Sequence, residues 1–150
     1  LVGSYHIIYN QYLRDRVVRQ SGLSHYNDAN VLSVHALTGA FSPEGEQWAD
    51  EMISVIDENL RYACDYIAEN FPGVETMRPQ GTYMLFLDCG AFCREHGIGI
   101  TELQHRGVRC GVIWQNGEAF VLPNSIRMNL ALPKSRLVEA MERLKKYVFI

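Results

Sequence analysis

The strictest alternation of apolar and polar residues in this 150-residue chain lies near its C-terminus. From Ser125 onward, Ile126, Met128, Leu130 and Leu132 interleave with Arg127, Asn129 and Ala131, a period of two that predicts a strand with one apolar face. Arg127 and Asn129 then share the opposite face. Pro133 ends the strand and opens a helix with Leu137, Ala140, Met141, Leu144 and Val148 inward. A helical period governs residues 43–71, where Trp48, Met52, Val55, Ile56, Leu60, Ala63, Ile67 and Phe71 form one stripe. Ser42 is its N-cap, Pro43 suits the first turn, and Glu44 and Glu46 put negative charge at the positive end of the helix. Pro72-Gly73 stops it. The only prolines near this stretch stand at its ends, so one unbroken helix is expected.

The remaining pattern alternates strands and helices. Residues 3–9 read as a buried strand. Asn10 caps a helix through about residue 20 that Ser21-Gly22 ends. Residues 24–30 are polar and loop-like, and 31–41 form a helix with Leu32, Ala36 and Leu37 inward. Beyond Pro79 come a strand at 82–87, a short helix at 91–96, and a second helix capped by Thr101 and closed by Gly107. A strand at 108–114 then leads to Asn116-Gly117, the signal of a tight hairpin or loop. The architecture is α/β, with a strand–helix–strand–strand–helix unit packed on the long helix.

Composition narrows the function classes. A net charge of −3 with no basic stripe excludes a nucleic-acid binder, since nothing would neutralise phosphates. No apolar run approaches the ~18 residues of a membrane span, and no signal-peptide pattern is present. The 47% hydrophobic content suits a protein with a real core. Cys89 and Cys93 have no second close pair, while Cys64 and Cys110 sit in apolar patterns, so no metal site is expected and reduced thiols are. Gly97-Ile98-Gly99 lacks the spacing of a phosphate loop. Ser4 and Ser33 lack a nucleophile setting, and nothing fixes His6, His25 or His35 beside a carboxylate.

Arg127 is the candidate with chemistry. A guanidinium held on a strand, with a short amide two residues on, can grip a carboxylate through two parallel hydrogen bonds. The same residue also reads as a solvated Arg on a half-buried edge strand.

Several segments in order resemble one family. The R-x-N-x-A-x-P pattern from Arg127 to Pro133 is similar to the C-terminal end of fold-type I pyridoxal-phosphate (PLP) enzymes. Pro79-Gln80-Gly81-Thr82-Tyr83, with Asp88 beyond, resembles the strand that opens the small domain of class I/II aminotransferases. Residues 1–10 resemble the strand after the PLP-binding lysine, and Asn30-Val31-Leu32-Ser33, Ala36-Leu37 and Gly45 resemble the cystathionine β-lyase-like branch (MalY/PatB type).

The resemblance implies a PLP-dependent C–S β-lyase or aminotransferase, cytoplasmic and homodimeric, acting on a small amino acid. It makes Arg127 the ligand of the substrate α-carboxylate, and Asn30 and Ser33 lesser candidates near the cofactor of a partner subunit; Asn129, on the same strand face as Arg127, reads as a second substrate-binding residue that orients it. Residues 1–41 would be a remnant of the large PLP-binding domain, 42–72 an inter-domain helix and 73–150 the small domain, the rest of the large domain lying upstream. The Schiff-base lysine would also lie upstream, because Lys134, Lys145 and Lys146 are the only lysines. The chain by itself is then expected to be inactive and colourless. No Arg stands in the segment 1–3, where many aminotransferases carry one, which suits the lyase-like branch. The other reading open at this point is a free-standing α/β binding or regulatory module without catalysis.

Overall fold

A computed structural model describes residues 5–24 and 29–150. The chain divides into two units, Leu1–Glu51 and Met52–Ile150, and the division falls inside one long helix. In the first unit, α1 (Gln11–Ser24) begins at Asn10, whose Oδ1 accepts the Leu13 N–H at 3.0 Å. Helix α2 (Val31–Ala40) begins at Asn30, whose Oδ1 accepts the Ser33 N–H at 2.8 Å. Each cap satisfies a donor that the first turn leaves unpaired. Helix α3 (Pro43–Asn70) is continuous, as its prolines indicate, and Ser42 Oγ accepts the Gly45 N–H at 3.1 Å.

Several expectations for this unit are corrected. Residues 5–10 form no strand, and Tyr9 is 93% exposed. A buried strand needs ladder partners on both sides, and none exists among the described residues. Helix α1 runs past Gly22 to Ser24, since a single glycine costs a helix only ~1 kcal/mol. The presumed inward face of α2 is uncovered: Leu32 and Leu37 are exposed, and neither α1 nor α2 buries a residue. Ser4 and His25, like most of the loop read at 24–30, lie outside the described residues. His6 and His35 are exposed.

The second unit is built on an antiparallel sheet of β1 (Glu75–Thr76), β2 (Met84–Asp88), β3 (Gln115–Asn116) and β4 (Ser125–Asn129), in the order β1-β2-β4-β3. Strand β4 carries the alternation read from the sequence. Ile126 and Met128 are buried, and their register partners on β2, Leu87 and Leu85, are buried on the same face. Onto that face pack Leu60, Ala63 and Ile67 of α3, Phe92 of α4 (Gly90–Glu95), Leu103 of α5 (Ile100–Arg109), and Leu137, Met141 and Leu144 of α6 (Lys134–Tyr147). Each fully buried side chain of this size contributes ~1.5–3 kcal/mol. The apolar stripe of α3 is therefore used in its second half only, while Trp48, Met52 and Val55 are exposed.

Three boundaries differ here. Residues 108–114 are not a strand: α5 continues through Gly107 to Arg109 and stops at Gly111. Gly111 has φ +82°, its N–H bonds to Val108 O, and Val112 N–H reaches back to Gly107 O at 2.9 Å, the double bond of a Schellman stop. Gly107 stays inside the helix because the Trp114 indole packs against it, where a Cβ would come within 2.9 Å of the ring. The N-cap of α5 is Gly99, not Thr101. Asn116-Gly117 makes no tight hairpin either. Asn116 caps a 3-10 turn, Gly117–Phe120, by accepting the Glu118 N–H at 2.9 Å.

Candidate functional site

Arg127 projects from the face of the sheet opposite the core. Its strand is not an edge strand: β4 lies between β2 and β3, so Arg127 has Phe86 as register partner on one side and Gln115 on the other. This overturns the edge-strand reading of Arg127. The connection from β3 to β4 then folds Phe120 over the residue, with the guanidinium carbon 4.0 Å from the ring centroid. Phe86 meets Phe120 edge-on, with centroids 5.7 Å apart and planes at 72°. A guanidinium over an aromatic face gains from the ring quadrupole while losing water on that side.

The hydrogen bonding of Arg127 is incomplete. Nη2 donates to Gln115 Oε1. Nε is buried and has no partner. No ion pair among the described residues includes Arg127, although arginines 61, 78, 106, 109, 136 and 143 all have carboxylates. A half-buried cation without a counter-ion and with an orphaned donor is poised for an anion.

The Asn129 side chain is engaged with the backbone that follows it. Its Oδ1 accepts the Ala131 N–H at 2.9 Å, which turns the chain out of β4. It borders a cleft of about 310 Å³ with Trp114, Arg136, Glu139 and Arg143, and Arg127 does not line that cleft. The two residues thus share a strand face without sharing a cavity.

What holds β4 in place is Asn59, a residue that the sequence patterns do not single out. It is 1% exposed, and its Nδ2 donates to Leu130 O at 2.9 Å and Leu132 O at 2.8 Å. Lys134 adds to this attachment, 3.5 Å from Glu58 Oε1 and 4.3 Å from the Tyr62 ring centroid. Gln115 and Phe120 were missed as well. Only the β3–β4 register puts Gln115 beside Arg127, and the sequence reading placed that strand earlier.

Other chemistry is sparse among the described residues. The four cysteines are free, and burial pushes the Cys89 and Cys93 thiols up from their ordinary range. No group of three potential metal ligands occurs, and no helix is long and apolar enough to cross a membrane. Asn30 serves α2 as its cap, and the Ser33 N–H is the group it receives.

Comparison with known proteins agrees with this architecture. No protein-family model matches the chain. It is 28% identical over 124 residues to cystathionine beta-lyase PatB of Bacillus subtilis (strain 168), covering 77% of this chain and 30% of PatB. It is 27% identical over 142 residues to Protein MalY of Escherichia coli (strain K12), covering 91% of this chain and 35% of MalY. Among solved structures, cystalysin from Treponema denticola, which contains a pyridoxal 5'-phosphate cofactor, superposes with a TM-score of 0.76 at 26% identity, covering 93% of this chain and 35% of that one. The PLP-bound C-S lyase from Staphylococcus hominis gives 0.77 at 27% identity, covering 93% and 36%.

The homologues of this chain are thus MalY/PatB cystathionine β-lyases and PLP-dependent aminotransferases, and its fold is that of the C-terminal part of the PLP-dependent transferase fold. It spans about a third of the length of the relatives it matches.

Proposed function

We propose that these residues form the substrate-carboxylate side of a PLP-dependent C–S β-lyase of the cystathionine β-lyase type, or of a related aminotransferase, acting on a small amino acid in the cytoplasm as a homodimer. Arg127 binds the α-carboxylate. The observation that carries this is the guanidinium itself, central in the sheet, half-buried, unpaired with any described carboxylate and with its Nε unsatisfied. The kinship with C–S lyases supports the reaction class. Asn129 has a lesser part, shaping the turn after the strand.

The residues of this chain do not fit the cofactor's own seat. Lys134 is tied to Glu58 and Tyr62, Lys145 lies 6.0 Å from the Tyr66 ring centroid, and Lys146 lies 4.9 Å from that of Tyr147. All three stand on α6, apart from Arg127's sheet face. When bound, PLP would supply an electron sink for the reaction, and the lysines of this chain are engaged on α6 instead of being placed to hold it. What this chain contributes is recognition and orientation: a planar fork that fixes the carboxylate and a ring that shields it from water.

The test is steady-state kinetics of the full-length protein with an amino-acid substrate such as cystathionine. Arg127→Ala should reduce kcat/KM by on the order of 30- to 1,000-fold, equivalent to ~2–4 kcal/mol, with cofactor occupancy unchanged. Arg127→Lys keeps the charge without the fork and should lose about tenfold. Near-normal kcat/KM in Arg127→Ala would make Arg127 a structural residue, whereas no turnover of any amino acid by the wild-type full-length protein would favour the non-catalytic binding module.

A further inference from the structure

We propose that position 115 sets how much of the Arg127 charge is open to a substrate, and that Gln115, by being neutral, makes the site selective for an amino acid with a free carboxylate. This rests on the carboxylate-binding reading above and names a residue that determines its specificity.

Backbone pairing alone puts Gln115 next to Arg127, since the two are register partners across β3 and β4. The side chain then offers its Oε1 to Nη2. Phe86, the register partner on the other flank, and Phe120, over the guanidinium, are neutral too. Two acids on the flanking elements have partners of their own. Asp88 Oδ1 takes the Gly90 N–H at 2.8 Å, and Glu118 Oε2 lies 3.4 Å from Asn116 Nδ2.

An amide oxygen satisfies one N–H without cancelling the charge. A carboxylate in the same place would form a charge-assisted bond with Nη2, and an incoming anion would have to displace it. Gln115 therefore holds the fork steady and leaves the cation uncompensated, the state in which it discriminates best between a carboxylate and a neutral carboxamide.

A charge series in the full-length protein tests this, with KM and kcat measured for one amino-acid substrate. Gln115→Met loses one hydrogen bond and keeps the neutral charge, and should raise KM by roughly threefold. Gln115→Glu should raise KM by about a further tenfold, with the effect on KM and not on kcat. Gln115→Lys should raise KM no more than Gln115→Met does. A merely structural role would raise KM alike in all three variants, and that result overturns the proposal. So does a Gln115→Glu KM within twofold of the Gln115→Met value. Arg127→Ala, measured in parallel, separates the two levels. If it keeps normal kcat/KM, the carboxylate reading falls and takes this inference with it. If it is impaired while the charge series is flat, only the role of Gln115 falls.

Discussion

Asn59→Ala should loosen the strand that carries Arg127, and the cost can be worked from the contacts. The side chain is 1% exposed and holds two carbonyls, Leu130 O at 2.9 Å and Leu132 O at 2.8 Å. A buried carbonyl left without its donor costs ~1–3 kcal/mol. Leu130 is fully buried and carries a cost within that range, whereas Leu132 is half-buried and can turn partly to water, which puts its share at the low end. Against this, Asn59 Oδ1 is itself buried without a partner, so removing it returns on the order of 1 kcal/mol. The net loss is about 1–3 kcal/mol, or roughly 2–12 °C in Tm for a chain of this size. Urea denaturation read by Trp114 fluorescence measures it, because that indole is 7% exposed and senses loss of the core. A loss below ~0.5 kcal/mol at an unchanged denaturant slope would refute the reasoning and leave β4 held by packing alone.

Acid should weaken the second unit through two exposed glutamates. Hydrogen bonding from Arg109, with Arg106 beside it, holds the Glu102 carboxyl below the usual range, and Arg136 and Arg143 do the same for Glu139. A carboxyl with a depressed folded value stabilises above its unfolded value and loses that contribution as pH falls through the folded one. Stability followed below the ordinary glutamate range should therefore drop less steeply in Glu102→Gln plus Glu139→Gln, and an unchanged slope would contradict this. Gly111→Ala should cost about 1 kcal/mol, since φ is +82° there and the only close atom is Arg143 Nη1, the far end of a long side chain, and thermal melts will show whether Tm falls by the corresponding ~2–4 °C.

The elements legible in the sequence were those whose periodicity matches what they bury within the second unit. Strand β4, helix α6 and the long α3 all place the expected residues, because Ile126, Met128, Leu137, Met141, Leu144, Leu60 and Ile67 meet one core. The first unit misled for the same physical reason. Its apolar residues, Leu32 and Leu37 among them, follow a pattern whose burial no described residue supplies. The stop of α5 was misplaced because two glycines compete, and the choice depends on the Trp114 packing that fills the space at Gly107. Arg127 was legible as a residue type on a strand face. Gln115, Phe120 and Asn59 were not, since their roles come from cross-strand register, a 3-10 turn and a contact between residues 71 positions apart in the chain.

The most direct test of the central claim compares an amino-acid substrate with its carboxamide in the wild-type full-length protein and in Arg127→Ala. The carboxamide keeps size and shape but lacks the charge and one acceptor oxygen that the fork of Arg127 would meet. Wild type should prefer the free acid by on the order of 30-fold or more in kcat/KM, and Arg127→Ala should lose most of that preference while handling the carboxamide nearly as wild type does. Equal losses for both substrates in Arg127→Ala would mean that Arg127 supports the fold and does not bind the carboxylate.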